Sequence, residues 1–234
     1  MKNRKNLHNI FYGKNYDNLY KGFSGFFFKK AHINLEKLSC EKIKKKNKFA
    51  TNITKKINFL EIGPGRHSHY DYVKFKDNIN KYFIYDQNPK FCLILKKKNR
   101  NKYFKYISNL KQIEKNSLDR IVCSHVLEHV PEPEKFILLL YRLLKKNGKI
   151  SITLPCDPGF LWQIGRLFNY LTFWKSKNIS KKEYFYHMAH EHVNSIQNLI
   201  AILKYNFSNF TDTFLPFRIK SINFNLMYNI VVTK

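Results

Sequence analysis

Ile57-Asn58-Phe59-Leu60-Glu61-Ile62-Gly63-Pro64-Gly65-Arg66-His67-Ser68-His69-Tyr70 is the stretch around which the rest of the chain is arranged. Its apolar members Phe59, Leu60 and Ile62 run directly into Gly63 and Gly65. That order predicts a buried strand that turns sharply, with the backbone left bare where a ligand comes close. A helix after such a turn would point its free amide N–H groups into the same space. The dinucleotide pattern G-x-G-x-x-G needs glycine at 68, where Ser68 stands, which disfavours a nicotinamide or flavin enzyme.

Downstream the pattern alternates. Strands are expected at Ile57–Ile62, Lys81–Tyr85, Lys105–Ile107, Asp119–Ser124 and Lys149–Leu154, with a helix opened by Asn88-Pro89 between the second and third. A further helix starts at Pro133, with Phe136, Leu139, Leu140, Leu143 and Leu144 as its core-facing stripe and Lys145 to Gly148 closing it. Strand–helix alternation implies a mostly parallel sheet with right-handed crossovers and helices on both faces. Residues 156–192, rich in aromatics, interrupt the alternation as a substrate-side insertion. A helix from Ser195 to Tyr205 and two strands near Asn209–Phe214 and Leu226–Thr233, paired as an edge hairpin, complete a seven-stranded Rossmann-like sheet. Upstream, residues 1–55 form a basic helical extension. One helix is expected near Asn15–Tyr20 and another from an N-capping Ser24 through Leu38, then a solvated linker at Lys42–Lys48. Residues 56–234 make the main domain.

Asp86 falls 21 residues after Gly65, at the end of the second strand. A carboxylate there can accept both hydroxyls of a bound ribose. Leu60-Glu61-Ile62-Gly63-Pro64-Gly65 resembles the first motif, E/D-x-G-x-G-x-G, of class I S-adenosylmethionine-dependent methyltransferases, with His67 in place of the last glycine. Leu118-Asp119-Arg120-Ile121-Val122-Cys123-Ser124-His125-Val126-Leu127-Glu128-His129-Val130 resembles the fourth-strand segment of their small-molecule, type 11-like branch. The helix ending in Lys-Lys-Asn-Gly-Lys and the strand Ile-Ser-Ile-Thr-Leu-Pro follow in the family's order. The resemblance spans about residues 58–155. It implies S-adenosylmethionine as cofactor, held by Glu61, Gly63, Gly65, Asp86, Asn109, Ser124 and His125, with Asn109 replacing the family's adenine-contacting acid. His129, further along, either stands where cofactor and substrate meet or is a structural residue behind them.

His187-Met188-Ala189-His190-Glu191-His192 lies before the Ser195 helix and is expected over the carboxyl ends of the strands, where ligands bind in open α/β sheets. His190 and His192 are the candidate bases for a hydroxyl attacking a sulfonium methyl, or a hydrogen-bonded pocket wall. The zinc pattern H-E-x-x-H fails at Asn194, and residues two apart do not share a helical face, so no metal is expected. Cys156 lacks the surroundings of a nucleophilic RNA-methyltransferase cysteine, and no Asn-Pro-Pro-Tyr-type segment of base-amine DNA methyltransferases follows the fourth strand.

Composition sets outer bounds. The net charge of +27 suggests an anionic partner, yet it comes from 36 lysines and seven arginines. Arginine is the side chain favoured for phosphate and base-edge recognition, and the abundance of Lys, Asn, Ile, Phe and Tyr fits A/T-rich coding bias instead. Four scattered cysteines, no secretory leader and no transmembrane run of about 18 apolar residues point to a reducing cytoplasm. The expected activity is methyl transfer to a small-molecule or glycan-precursor acceptor, on oxygen. An RNA methyltransferase and a non-catalytic S-adenosylmethionine-binding module are the alternatives.

Overall fold

The computed structural model describes residues 2, 4–13, 20, 22–46 and 56–234. Seven strands form one sheet: β1 (Ile57–Ile62), β2 (Ile79–Tyr85), β3 (Phe104–Ile107), β4 (Leu118–Ser124), β5 (Leu144–Pro155), β6 (Phe210–Leu215) and β7 (Met227–Thr233). Their order is β3-β2-β1-β4-β5-β7-β6. The five strands from β3 to β5 run parallel, while β7 pairs antiparallel with β5 and with β6. After β1 the chain builds outward through β2 and β3, then returns to lay β4 on the other side of β1. This reversal leaves a crevice at the carboxyl ends of β1 and β4.

One face of the sheet is covered by α4 (Pro133–Leu143) and α7 (Ile196–Asn206), which bury Ile137, Leu140, Leu143, Ile196, Leu199 and Leu203 against β4, β5 and β7. The stripe on α4 is centred one residue from its expected line: Ile137 is buried and Leu139 is exposed. Helix α4 also stops a turn early, because Leu144 already pairs with Leu118. The left-handed residue there is Asn147 (φ 66°), not Gly148. Glycine is needed at 148 for another reason, since a Cβ would stand 2.9 Å from the Lys145 carbonyl oxygen.

The opposite face carries α3 (Pro89–Lys98), capped by the Asn88 side chain, and the long α2 (Phe23–Lys46). Helix α2 starts before Ser24 and runs eight residues beyond Leu38, taking in Lys42 to Lys46, so that part of the chain is helix rather than linker. It buries Ala31 and Leu35, together with polar His32, Glu36 and Ser39. Glu36 accepts from the guanidinium of Arg120 on β4, from the Lys74 N–H (3.1 Å) and from His69 Nε2 (3.3 Å). Ser39 bonds Ser151 of β5 at 2.7 Å, and Asn229 of β7 donates to the Ala31 carbonyl at 2.9 Å. Three strands therefore grip one helix through polar contacts. The helix expected near Asn15–Tyr20 lies outside the described residues except at Tyr20.

The aromatic segment after β5 is helical: α5 (Phe160–Asn169), a π-helical turn at 170–174, and α6 (Lys181–Glu191), whose start is fixed by a reciprocal Ser180–Glu183 cap. The short α1 (Arg4–Phe11) packs on this unit, with Leu7 and Phe11 buried among Tyr170, Trp174 and Tyr184.

Candidate active site

The carboxyl ends of β1, β2 and β4, with the start of β7, open into a cavity of about 710 Å³, walled by the loops after β1, β2 and β4 and roofed by α1, the first half of α2, α5 and α6. This lies within the range of about 300–1,000 Å³ usual for small-molecule sites.

The glycine loop forms its floor. Gly63 and Gly65 have φ of +59° and +58°, and a Cβ on Gly63 would come within 2.7 Å of Val126 Cγ2. Both positions therefore require glycine, and the backbone between them faces the cavity uncovered. No α-helix follows. Ser68 caps a 3₁₀ turn over His69–Tyr72, so the loop presents its own amides rather than a helix N-terminus. Asp86 holds the loop from below: its carboxylate accepts from the Gly65 N–H (3.0 Å) and the Asn88 N–H (2.8 Å), and burial raises its pKa against those two bonds.

Glu61 lines the cavity, but its carboxylate is committed to the loop. It accepts from the Ser68 hydroxyl, the His69 N–H and the Tyr82 hydroxyl (2.8 Å). Burial pushes its pKa up to about 7 despite these donors. His67, which replaces the family's last glycine, stacks on Tyr20 with ring centroids 3.8 Å apart, joining the loop to the N-terminal cover.

After β4, His125 adopts a left-handed backbone (φ 55°) with its N–H on the Thr153 carbonyl at 2.9 Å. Among the described residues, Ser124 Oγ and His125 Nε2 are buried without a hydrogen-bond partner while their residues line the cavity. Unmet polar atoms beside a bare glycine cradle are what a polar ligand at this place would satisfy. Asn109, by contrast, is outside the cavity. Its side chain accepts from the Lys111 N–H at 2.9 Å and caps a 3₁₀ turn on the surface, the common use of Asn before a turn. The assignment of Asn109 to the cofactor is corrected accordingly.

The two candidate bases separate. On α6, Tyr184, His187, Met188 and Glu191 share the face toward the cavity, and His190 points outward against Tyr186. The 3.6-residue period that brings His187 inward turns His190 away, so His190 is withdrawn as a candidate. His192 follows the helix end and lines the cavity. Its Nδ1 lies 2.8 Å from Asp157 Oδ2, and the same carboxylate takes Arg166 at 3.3 Å. Burial pushes the Asp157 carboxyl up, but the His192 bond and the Arg166 charge outweigh it and hold it below the ordinary range. Asp157 thus stays ionised and fixes the imidazole through Nδ1.

His129 is arranged alike, with Nδ1 on the Glu191 carbonyl at 2.6 Å. Glu128 is buried between them, with Nδ1 of His125 3.4 Å from one carboxylate oxygen and the other oxygen without a partner. Burial raises its pKa, yet the His125 bond and the neighbouring imidazoles hold it below the usual value. Glu128, His129 and His192 each bring one acceptor atom within 4.8 Å of the other two. The trio is assembled by backbone: the Val193 and Asn194 amides donate to the Glu128 carbonyl at 2.9 and 3.1 Å, and the Asn194 side chain donates to those of Leu127 and Val130. Two members come from outside the 187–192 cluster in which the sequence reading sought a metal set. Asp157 was legible only as the neighbour of Cys156, whose thiol burial raises to about 12, far from nucleophilic use.

Residues 60–152 match the family model described as a methyltransferase domain. The matched segment and the fold are those of class I S-adenosylmethionine-dependent methyltransferases. Among solved structures, the N-methyltransferase NodS from Bradyrhizobium japonicum WM9, in complex with S-adenosyl-L-homocysteine, is similar at a TM-score of 0.62 and 14% identity over 99% of this chain and 97% of that one. A SAM-dependent methyltransferase from Archaeoglobus fulgidus is similar at 0.54 and 17% over 91% and 100%. At these identities the likeness is one of fold. A comparison with curated proteins gives no match. In this methyltransferase fold the glycine loop, Asp86 and the 124–125 corner meet in one cleft.

Proposed function

We propose that this methyltransferase transfers the methyl group to a hydroxyl of a small-molecule or glycan-precursor acceptor, with His192 as the proton acceptor. The observation that carries the reading is the Asp157–His192 bond at 2.8 Å, which fixes a ring that stands with Glu128 and His129 in the cleft. A cluster of three proton acceptors with no donor among them suits an acceptor group that brings its own hydrogen.

The residues present fit S-adenosylmethionine. The Gly63–Gly65 backbone would cradle it, Asp86 would take the ribose hydroxyls, and Ser124 Oγ and His125 Nε2 would find in it the partner they lack. When bound, the cofactor supplies an electrophilic methyl group on a sulfonium. The chain's part is to hold the acceptor in line, exclude water beneath α1 and α6, and take the hydroxyl proton on His192 Nε2. Glu61 supports the site by bracing the loop, and Asp157 by fixing the imidazole. Helix α1 and the start of α2 act as a cover, and 156–192 as the acceptor-side wall. A cavity of about 710 Å³ beneath α1 and α6 favours a small acceptor over RNA.

The test is transfer of label from methyl-labelled S-adenosylmethionine into fractionated extract. Label should enter an alkali-stable ether of low molecular weight. Label in RNA, or none in any pool while the cofactor binds, would sink the proposal.

A further inference from the structure

Helix α5 is apolar on the side away from the active site. Trp162, Gly165, Arg166 and Asn169 line the cleft, whereas Phe160, Ile164, Leu167, Phe168 and Leu171 are between 38% and 64% exposed. Their spacing of 4, 7, 8 and 11 from Phe160 is one continuous face. Beside it lies the loop between β6 and β7, joined to the start of α5 by the Leu161 N–H on the Asn223 carbonyl at 2.9 Å. This loop exposes Phe217, Ile219 and Phe224.

The loop is not loosely placed. Asn225 is fully buried beneath it, donates to the carbonyls of Ile219 and Ser221 at 2.8 Å each, and accepts from the Phe217 N–H at 3.1 Å. Arg218 takes a left-handed conformation at φ 62°, a cost for a side chain with a Cβ. A buried amide is thus spent on holding apolar side chains out in water.

The cations of this face are placed with its apolar groups. Exposed Arg218 and Lys220 alternate with Phe217 and Ile219, and Lys175 and Lys177 follow the end of the helical face. No Asp or Glu occurs from Pro158 to Lys182, or anywhere after Asp212. Apolar wedges ringed by cations match the boundary between acyl chains and acidic headgroups. A second copy of the chain fits poorly, because a two-fold contact would set the same cations against one another.

We infer that α5 and the 216–225 loop dock this enzyme on the surface of a bilayer rich in anionic lipid. Docking then puts the α5 wall of the cleft against the bilayer. The inference stands apart from the choice of acceptor and of base, since vesicle binding needs neither.

The full chain is floated with vesicles of phosphatidylcholine alone and of phosphatidylcholine with about one-third phosphatidylserine. Partition should be at least tenfold stronger onto the anionic vesicles. It should fall at least tenfold in the double variant Ile164→Glu/Ile219→Glu, with cofactor affinity unchanged as the check on folding. Lys220→Gln should weaken it roughly fivefold, the worth of one cation near such a surface. No partition onto either vesicle would overturn the inference. So would equal partition of wild type and double variant, which would make the binding a diffuse charge effect. A dimer in solution that the double variant dissolves, or RNA binding that it abolishes, would assign the face to another occupant and overturn it too.

Discussion

At the scale of single residues, the site separates groups that its sequence lists side by side. His190 and His192 are two positions apart, yet one meets Tyr186 edge-on in solvent and the other sits on Asp157. His192→Ala should lower kcat by about 10²–10⁴ with cofactor affinity unchanged, and His190→Ala should stay within about twofold, as steady-state kinetics and calorimetry will show. Asp86→Ala should weaken cofactor binding by about 1.5–3 kcal/mol in the same calorimetry, since it removes both the proposed ribose acceptor and the brace on Gly65. Glu61 gives a pH signature. Its pKa is raised on folding to about 7, so its favourable share of stability is complete below the unfolded value and is lost as pH rises through about 7. That share amounts to about 3 kcal/mol. Buried His32 and His69, whose pKa values burial lowers, act with the opposite sign near their ordinary range. The observable is therefore the difference between wild type and Glu61→Gln in urea unfolding: the variant should gain relative stability between pH 5 and pH 8.

At the scale of elements, most of the sheet was legible and most of its cover was not. Strand β1 is found at its expected bounds, and the others shift by a few residues at most apart from the early start of β5, because continuous apolar runs between polar turns leave a parallel strand little freedom. The loop glycines and Ser124–His125 were readable for the same reason, being tied to strand ends. Asn109 was not, since Asn caps turns as readily as it contacts bases. Nor was the anchoring of α2, whose buried Glu36 and Ser39 look in sequence like ordinary members of a solvated helix and find their partners 84 and 112 residues away. Arg120→Ala leaves the buried Glu36 carboxylate without its cation and should cost about 3–5 kcal/mol, read as a lower urea midpoint with an unchanged slope.

At the scale of the whole molecule, the covers over the cleft are fastened with unequal strength. Helix α2 is keyed into β4, β5 and β7 by charge and hydrogen bonds. Helix α1 rests chiefly on rings: Phe11 lies 4.1 Å from Trp174 and 4.0 Å from His187, with the Tyr12 hydroxyl on Glu191 at 2.9 Å. A product on the cleft floor should leave most cheaply by parting those rings, because parting α2 means stripping a buried carboxylate of its cation. Parting of the Phe11 stack should therefore gate product release. Phe11→Ala should speed release of S-adenosylhomocysteine in stopped-flow measurements by about tenfold or more while leaving the urea midpoint of the sheet domain nearly in place.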